Sequence, residues 1–112
     1  MPGPHRDAIR CRVGEAKMVV SMIQLIIELP EATSIKDKRR VVSSLRSRII
    51  RRFHITAAEV DLQDSLGFAQ IAGAVVSNSR IYGEGVMQKV LRFVEDESDG
   101  SVHDVQIHSE TF

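Results

Sequence analysis

The sequence has no tryptophan, one tyrosine, one cysteine and three prolines among its 112 residues. With Cys11 alone, the chain can form no internal disulfide and no cysteine-based zinc centre. That usage suits a reducing, cytoplasmic compartment. Apolar runs are short, far below the ~20 consecutive residues needed to span a bilayer. Aromatic residues make up 4% of the chain, and Phe112 is one of only four phenylalanines. Single-stranded nucleic acid is held by bases stacked on aromatic platforms, so this composition argues against that mode. Neither GxGxxG nor GxxxxGK[ST] occurs, so no glycine-rich phosphate cradle is encoded. The histidines His5, His54, His103 and His108 never fall at the i, i+4 spacing of a helical metal site. On a regular strand, His103 and His108 differ in parity and would face opposite ways. No cofactor is implied.

What is present reads as one globular domain. Hydrophobic residues are 43% and charged residues 27%, ordinary values for a domain of this size. Residues 1–17 mix Pro, Gly and both charge signs without periodicity and lack the apolar stretch of a secretory signal. They read as a flexible extension, with the folded domain spanning 18–112.

From Met18 onward, period-2 and period-3.6 segments alternate. Residues 19–29 read as a strand with Ile23, Leu25, Ile27 and Leu29 on one face. Ser34 is a good N-cap, Asp37 suits the first turn, and a helix follows to about Arg52. Its apolar stripe is Val41, Val42, Leu45, Ile49 and Phe53. Residues 54–61 predict a second strand with a parity slip at Ala57-Ala58, and 68–77 a third, central one. A helix over 80–97, capped from Ser77-Asn78-Ser79, is expected to bury Ile81, Val86, Val90, Leu91 and Val94. Gly83 and Gly85 each weaken its first turn by roughly 1 kcal/mol relative to alanine. Ser98-Asp99-Gly100 breaks it, and residues 102–109 close with a strand that turns His103, Val105 and Ile107 to one side. The order βαββαβ predicts an α+β, ferredoxin-like domain, with two helices on one face of a four-stranded antiparallel sheet.

Overall charge is zero, but its distribution is not even. Residues 34–58 hold eight Lys or Arg against one acid, Asp37, while residues 59–112 hold three against ten acids. On a wheel with Lys36 at 0° and about 100° per residue, the apolar stripe spans about 140° to 260°. Opposite it lie Lys36, Arg40, Ser43, Ser44, Ser47 and Arg51, flanked by Arg39, Arg46 and Arg48. A solvated helix usually interleaves acids with bases at i, i+4, and none follows Asp37 here. Arginines match phosphate geometry, and serines add hydrogen-bond donors. Lys36, Arg39, Arg40, Ser47, Arg48 and Arg51 are therefore the candidate RNA or phosphate contacts. A solvated basic face is the plain alternative.

The sheet face away from the helices is the second candidate surface. It is expected to carry Gln24, Ile26, Glu28, Gln70, Ala72, Ala74, Val76, Asp104, Gln106 and His108. Ile26, Ala72, Ala74 and Val76 would form a small apolar patch suited to a homodimer or a protein partner. A third, weaker possibility is a hard-cation site: Glu59 and Asp61 would share a strand face, with Asp64 in the loop beyond.

The run Ser34-Ile35-Lys36-Asp37-Lys38-Arg39-Arg40-Val41-Val42 resembles the S-[LI]-K-x-K-R-R-x-V signature of the YlxP-like family of small bacterial proteins, a family of unknown function. Phe53-His54-Ile55, Ala58-Glu59-Val60, Gln63-Asp64 and Ala74-Val75-Val76-Ser77-Asn78 are similar to its second- and third-strand segments. The likeness covers about residues 18–108 and departs from the family pattern at Ser65-Leu66-Gly67-Phe68 and at Gly83 and Gly85. It implies a ferredoxin-like fold in a bacterial, cytoplasmic protein. It also implies a ribosome-linked role, because the family's genes often lie near ribosome-maturation and translation-initiation genes. It brings no catalytic residues. The resulting expectation is a non-enzymatic accessory factor that contacts ribosomal or precursor RNA, with no membrane and no small-molecule substrate.

Overall fold

A computed structural model of the chain describes residues 18–98 and 101–112. The expectations for the extension 1–17, for His5 and Cys11 within it, and for the break at Asp99-Gly100 lie outside those residues. The elements are β1 (Val19–Glu28), α1 (Ile35–Phe53), β2 (Thr56–Asp61), β3 (Phe68–Ser77), α2 (Arg80–Glu97) and β4 (Val102–Thr111). The sheet is antiparallel throughout, in the order β2-β3-β1-β4. β1 and β3 are thus the central pair. No described helix is long and apolar enough to cross a membrane.

Alternation in β1 sends Ile23, Leu25 and Ile27 into the core, where Ala69 and Ile71 of β3 join them. α1 adds Val42, Leu45 and Ile49, and α2 adds Met87, Val90 and Val94. Ser34 caps α1 by accepting the Asp37 N–H at 3.0 Å. At the other end His54 takes a left-handed conformation, φ 55°, and its N–H returns to the Ile50 carbonyl at 2.9 Å. That cap delays β2 to Thr56, two residues later than the pattern predicts.

Several residues sit differently from expectation, each for a local reason. Val41, assigned to the apolar stripe, is 45% exposed. It lines an open cleft between the two helices with Leu45, Ile27 and Leu29. Ile81 is 86% exposed. α2 docks through Gly83, Met87, Val90 and Val94, and a residue two before Gly83 lies about 200° round the helix from it. Val86 and Leu91 are partly buried at the margin.

Two bulges reassign side chains between sheet faces. The slip in β2 falls between Glu59 and Asp61, not at Ala57-Ala58. Glu59 pairs with the core residue Ile71, whereas Asp61 pairs with Gln70 on the open face. In β4 the register shifts opposite Gln24 and Ile26, at Asp104, which has φ 52°. His103 therefore pairs with Ile26 and His108 with Met22, both on the open face, while Ile107 pairs with the buried Ile23. The two histidines share a face, contrary to strand parity, and His103 no longer shares one with Ile107.

Candidate nucleic-acid interface

α1 presents its basic residues in two groups with different neighbours. Lys38, Arg46, Arg48 and Arg52 are engaged by the rest of the fold. The Lys38 side chain is 2% exposed, and its ammonium is held inside the fold. It donates to the carbonyls of Leu62 and Ser65, each at 2.5 Å, and lies 3.3 Å from Glu59 Oε2. Arg46 Nε donates to the Ala57 carbonyl of β2 at 2.9 Å. Arg48 pairs with Glu97 of α2. Its guanidinium lies over the Phe93 ring, as does that of Arg52, at 5.9 and 5.3 Å from the centroid. Phe93 in turn meets Phe53 edge-on at 5.7 Å. These arginines close the seam between the helices.

Lys36, Arg39, Arg40 and Arg51 form the second group, and all four are exposed. Among the described residues Lys36, Arg39 and Arg51 have no ion-pair partner, while Arg40 pairs with Asp37. Ser43, Ser44 and Ser47 lie exposed between them. The row from Lys36 to Arg51 runs about 22 Å along the helix. Of the six residues singled out from the sequence, five lie on this outer surface; Arg48 is drawn aside to Glu97. The arrangement offers a row of cationic donors along one helix, which suits binding of an extended polyanion.

Asp37 is the one acid on this row and is occupied locally. The Thr33 backbone N–H at 3.3 Å, and next the Arg40 guanidinium, hold its carboxyl below the usual carboxylate range. Together with Ser34 this is a capping arrangement in which the first-turn acid reaches back one residue further than usual. A carboxyl depressed in the folded state contributes stability that is present above its unfolded pKa and lost as pH falls through the folded one. Acid titration of α1 helicity should therefore show less loss in Asp37→Asn than in the wild type. Identical acid limbs would contradict the cap.

The three carboxylates weighed as a cation site are not brought together. Glu59 lies on the helix side with Lys38, and Asp61 on the open face receives the Leu62 N–H at 2.8 Å. No group of three potential metal ligands converges among the described residues.

The role of Lys38 was missed from sequence, although the wheel places it near 200°, in the middle of the apolar stripe. A charge at such a position signals a buried partner. No pattern in α1 alone reveals that Arg48 and Arg52 have α2 to engage them.

The described architecture is similar to two designed proteins of known structure. Foldit4, a de novo design, superposes with a TM-score of 0.50 at 15% identity, covering 85% of this chain and 98% of that one. The de novo design LFR1 1, with ferredoxin fold, gives a TM-score of 0.50 at 11% identity, covering 83% of each chain. Both likenesses concern the fold alone. In sequence, the chain is 32% identical over 65 residues to the uncharacterized protein YlxP of Bacillus subtilis (strain 168), covering 58% of this chain and 71% of that protein. The resemblance carried by the Ser34–Val42 signature is thereby established. Residues 20–107 match the model for protein of unknown function DUF503, and the chain belongs to that family.

Proposed function

We propose that this chain is a non-enzymatic, cytoplasmic accessory factor that contacts the phosphate backbone of ribosomal or precursor RNA. The reading rests on one observation: the outer face of α1 holds Lys36, Arg39, Arg40 and Arg51 in an exposed row that, among the described residues, is compensated only at Arg40, by Asp37. Half of the basic residues of this helix are engaged by the domain's own packing; of these four only Arg40 has an ion-pair partner among the described residues, the neighbouring Asp37. Ser47 supplies a hydroxyl donor between them. Contact is through charge and shape, because the row has no aromatic side chain to stack a base and no side-chain fork opposed to a groove.

Neutralising about four phosphates of a duplex should give a log–log dependence of affinity on salt with slope about −3 to −4. A filter-binding or fluorescence titration against purified ribosomal RNA at several salt concentrations measures it. The proposal requires affinity to fall with salt along that slope and to be indifferent to sequence. A salt-independent affinity, or none at low salt, overturns it.

A further inference from the structure

The sheet face opposite the helices is uncovered among the described residues, and its composition differs from the rest of the surface. Reading the register across all four strands gives successive rows. Thr56, Ala74, Met22 and His108 form one row; Ala58, Ala72, Gln24 and Gln106 the next; Asp61, Gln70, Ile26 and His103 a third. Val76, which is 64% exposed, and Val20 flank them at one end. None of these positions is Lys or Arg, although the chain has fifteen. A face without Lys or Arg offers little to phosphate. This surface is therefore not an extension of the α1 face.

We infer that the open face is an isologous interface between two copies of this chain. The relief of the sheet is self-complementary. β3 contributes a trough of small side chains, Ala72 and Ala74, and β1 beside it contributes a ridge of larger ones, Met22, Gln24 and Ile26. A two-fold axis parallel to the strands and midway between β1 and β3 lays the ridge of each copy in the trough of the other. The same operation sets β2 of one copy over β4 of the second and keeps every row in step. Asp61 then faces His103 across the interface, twice, and Ala58 faces Gln106. Aligned packing of two sheet faces about 10 Å apart is a standard arrangement. Three ten-residue strands about 33 Å long and the six-residue β2 of about 20 Å, spaced about 4.8 Å apart, give a footprint of about 570 Å² per copy, or about 1,140 Å² for the pair, above the roughly 1,000 Å² that a specific interface should clear. Both α1 faces remain outward in this dimer, so it is independent of the RNA reading.

Sedimentation of the full chain across a concentration series tests the inference. The wild type should move to twice the chain mass of 12.5 kDa as concentration rises. Ala74→Glu places an unpaired carboxylate at the centre of each face and should raise the dimer dissociation constant at least about 100-fold. Val76→Glu, at a site already mostly exposed, should weaken the dimer without endangering the fold. Geometry is read by cross-linking in a Cys11→Ser background, where Met22→Cys mixed with Ala74→Cys should give disulfide-linked pairs. A single-chain mass at every concentration overturns the inference. So does a dimer that both glutamate variants leave intact, which would assign association to a strand edge or the helices. Neither variant alters α1, so loss of the dimer with RNA affinity retained separates the two readings.

Discussion

Replacing Lys38 with alanine should destabilise the domain by about 3–5 kcal/mol, the cost of removing one partner from a buried ion pair. The ammonium has three donors, and the structure places three acceptors round them: the Leu62 and Ser65 carbonyls and the Glu59 carboxylate. Glu59 Oε2 is buried and makes no hydrogen bond of its own, so the Lys38 charge is what compensates it. Without Lys38 all three acceptors lose that cation, and the β2–β3 loop loses its tie to α1. Against a total stability of about 5–15 kcal/mol for a domain, such a loss approaches unfolding. Urea denaturation monitored by circular dichroism would measure it. A companion variant, Lys38→Met with Glu59→Leu, should recover part of the loss, because a well-packed apolar pair can replace a buried salt bridge. A Lys38→Ala cost below about 1 kcal/mol, the worth of a solvated pair, would contradict the buried strut.

Gly83→Ala should cost about 3 kcal/mol, at the upper end for overpacking, even though alanine is the better helix former. A β-carbon there would lie 2.0 Å from Ser21 Oγ and 2.8 Å from Ser21 Cβ. Ser21 cannot yield easily: it is fully buried in β1, and its hydroxyl is hydrogen-bonded to that of Ser109 in β4 at 2.7 Å. The first turn of α2 thus approaches the sheet as closely as a residue without a side chain permits. Gly85, two residues on, has nothing within 4 Å of such a carbon, and Gly85→Ala should stabilise by up to about 1 kcal/mol. Opposite signs in thermal denaturation at these two glycines are the expected outcome. Equal stabilisation by both would mean that α2 does not sit against Ser21.

The contrast between these glycines shows where a linear reading ends. From the sequence both are weak points of one helical turn; only the position of Ser21 beneath one of them makes it a contact. The strands and helices were legible because their periodicities are local, as in Ile23, Leu25 and Ile27 or Val42, Leu45 and Ile49. Strand order followed from the βαββαβ succession. A slip in β2 was legible but its place at Val60 was not, nor was the bulge at Asp104, because a change of face is defined by register against a neighbouring strand. They separate Glu59 from Asp61 and unite His103 with His108. Ile81 is apolar yet exposed because the docking angle of α2 is set by the close approach at Gly83 and not by hydrophobicity alone. On α1, the exposed row of Lys36, Arg39, Arg40 and Arg51 was visible in full. The engagement of Arg48 by Glu97 and Arg52 by Phe93 was not, since those partners lie more than forty residues away.

The most direct test of the proposed RNA contact is co-sedimentation with purified small and large ribosomal subunits at two salt concentrations. Wild-type protein would be compared with a Lys36→Glu, Arg40→Glu, Arg51→Glu variant of verified fold. None of these three side chains is buried, so the variant should retain the native circular dichroism spectrum. The account predicts that the wild type pellets with a subunit at low salt, is released at high salt, and that the variant stays in the supernatant at both. Equal pelleting of the two proteins, or no pelleting of either at low salt, would contradict it.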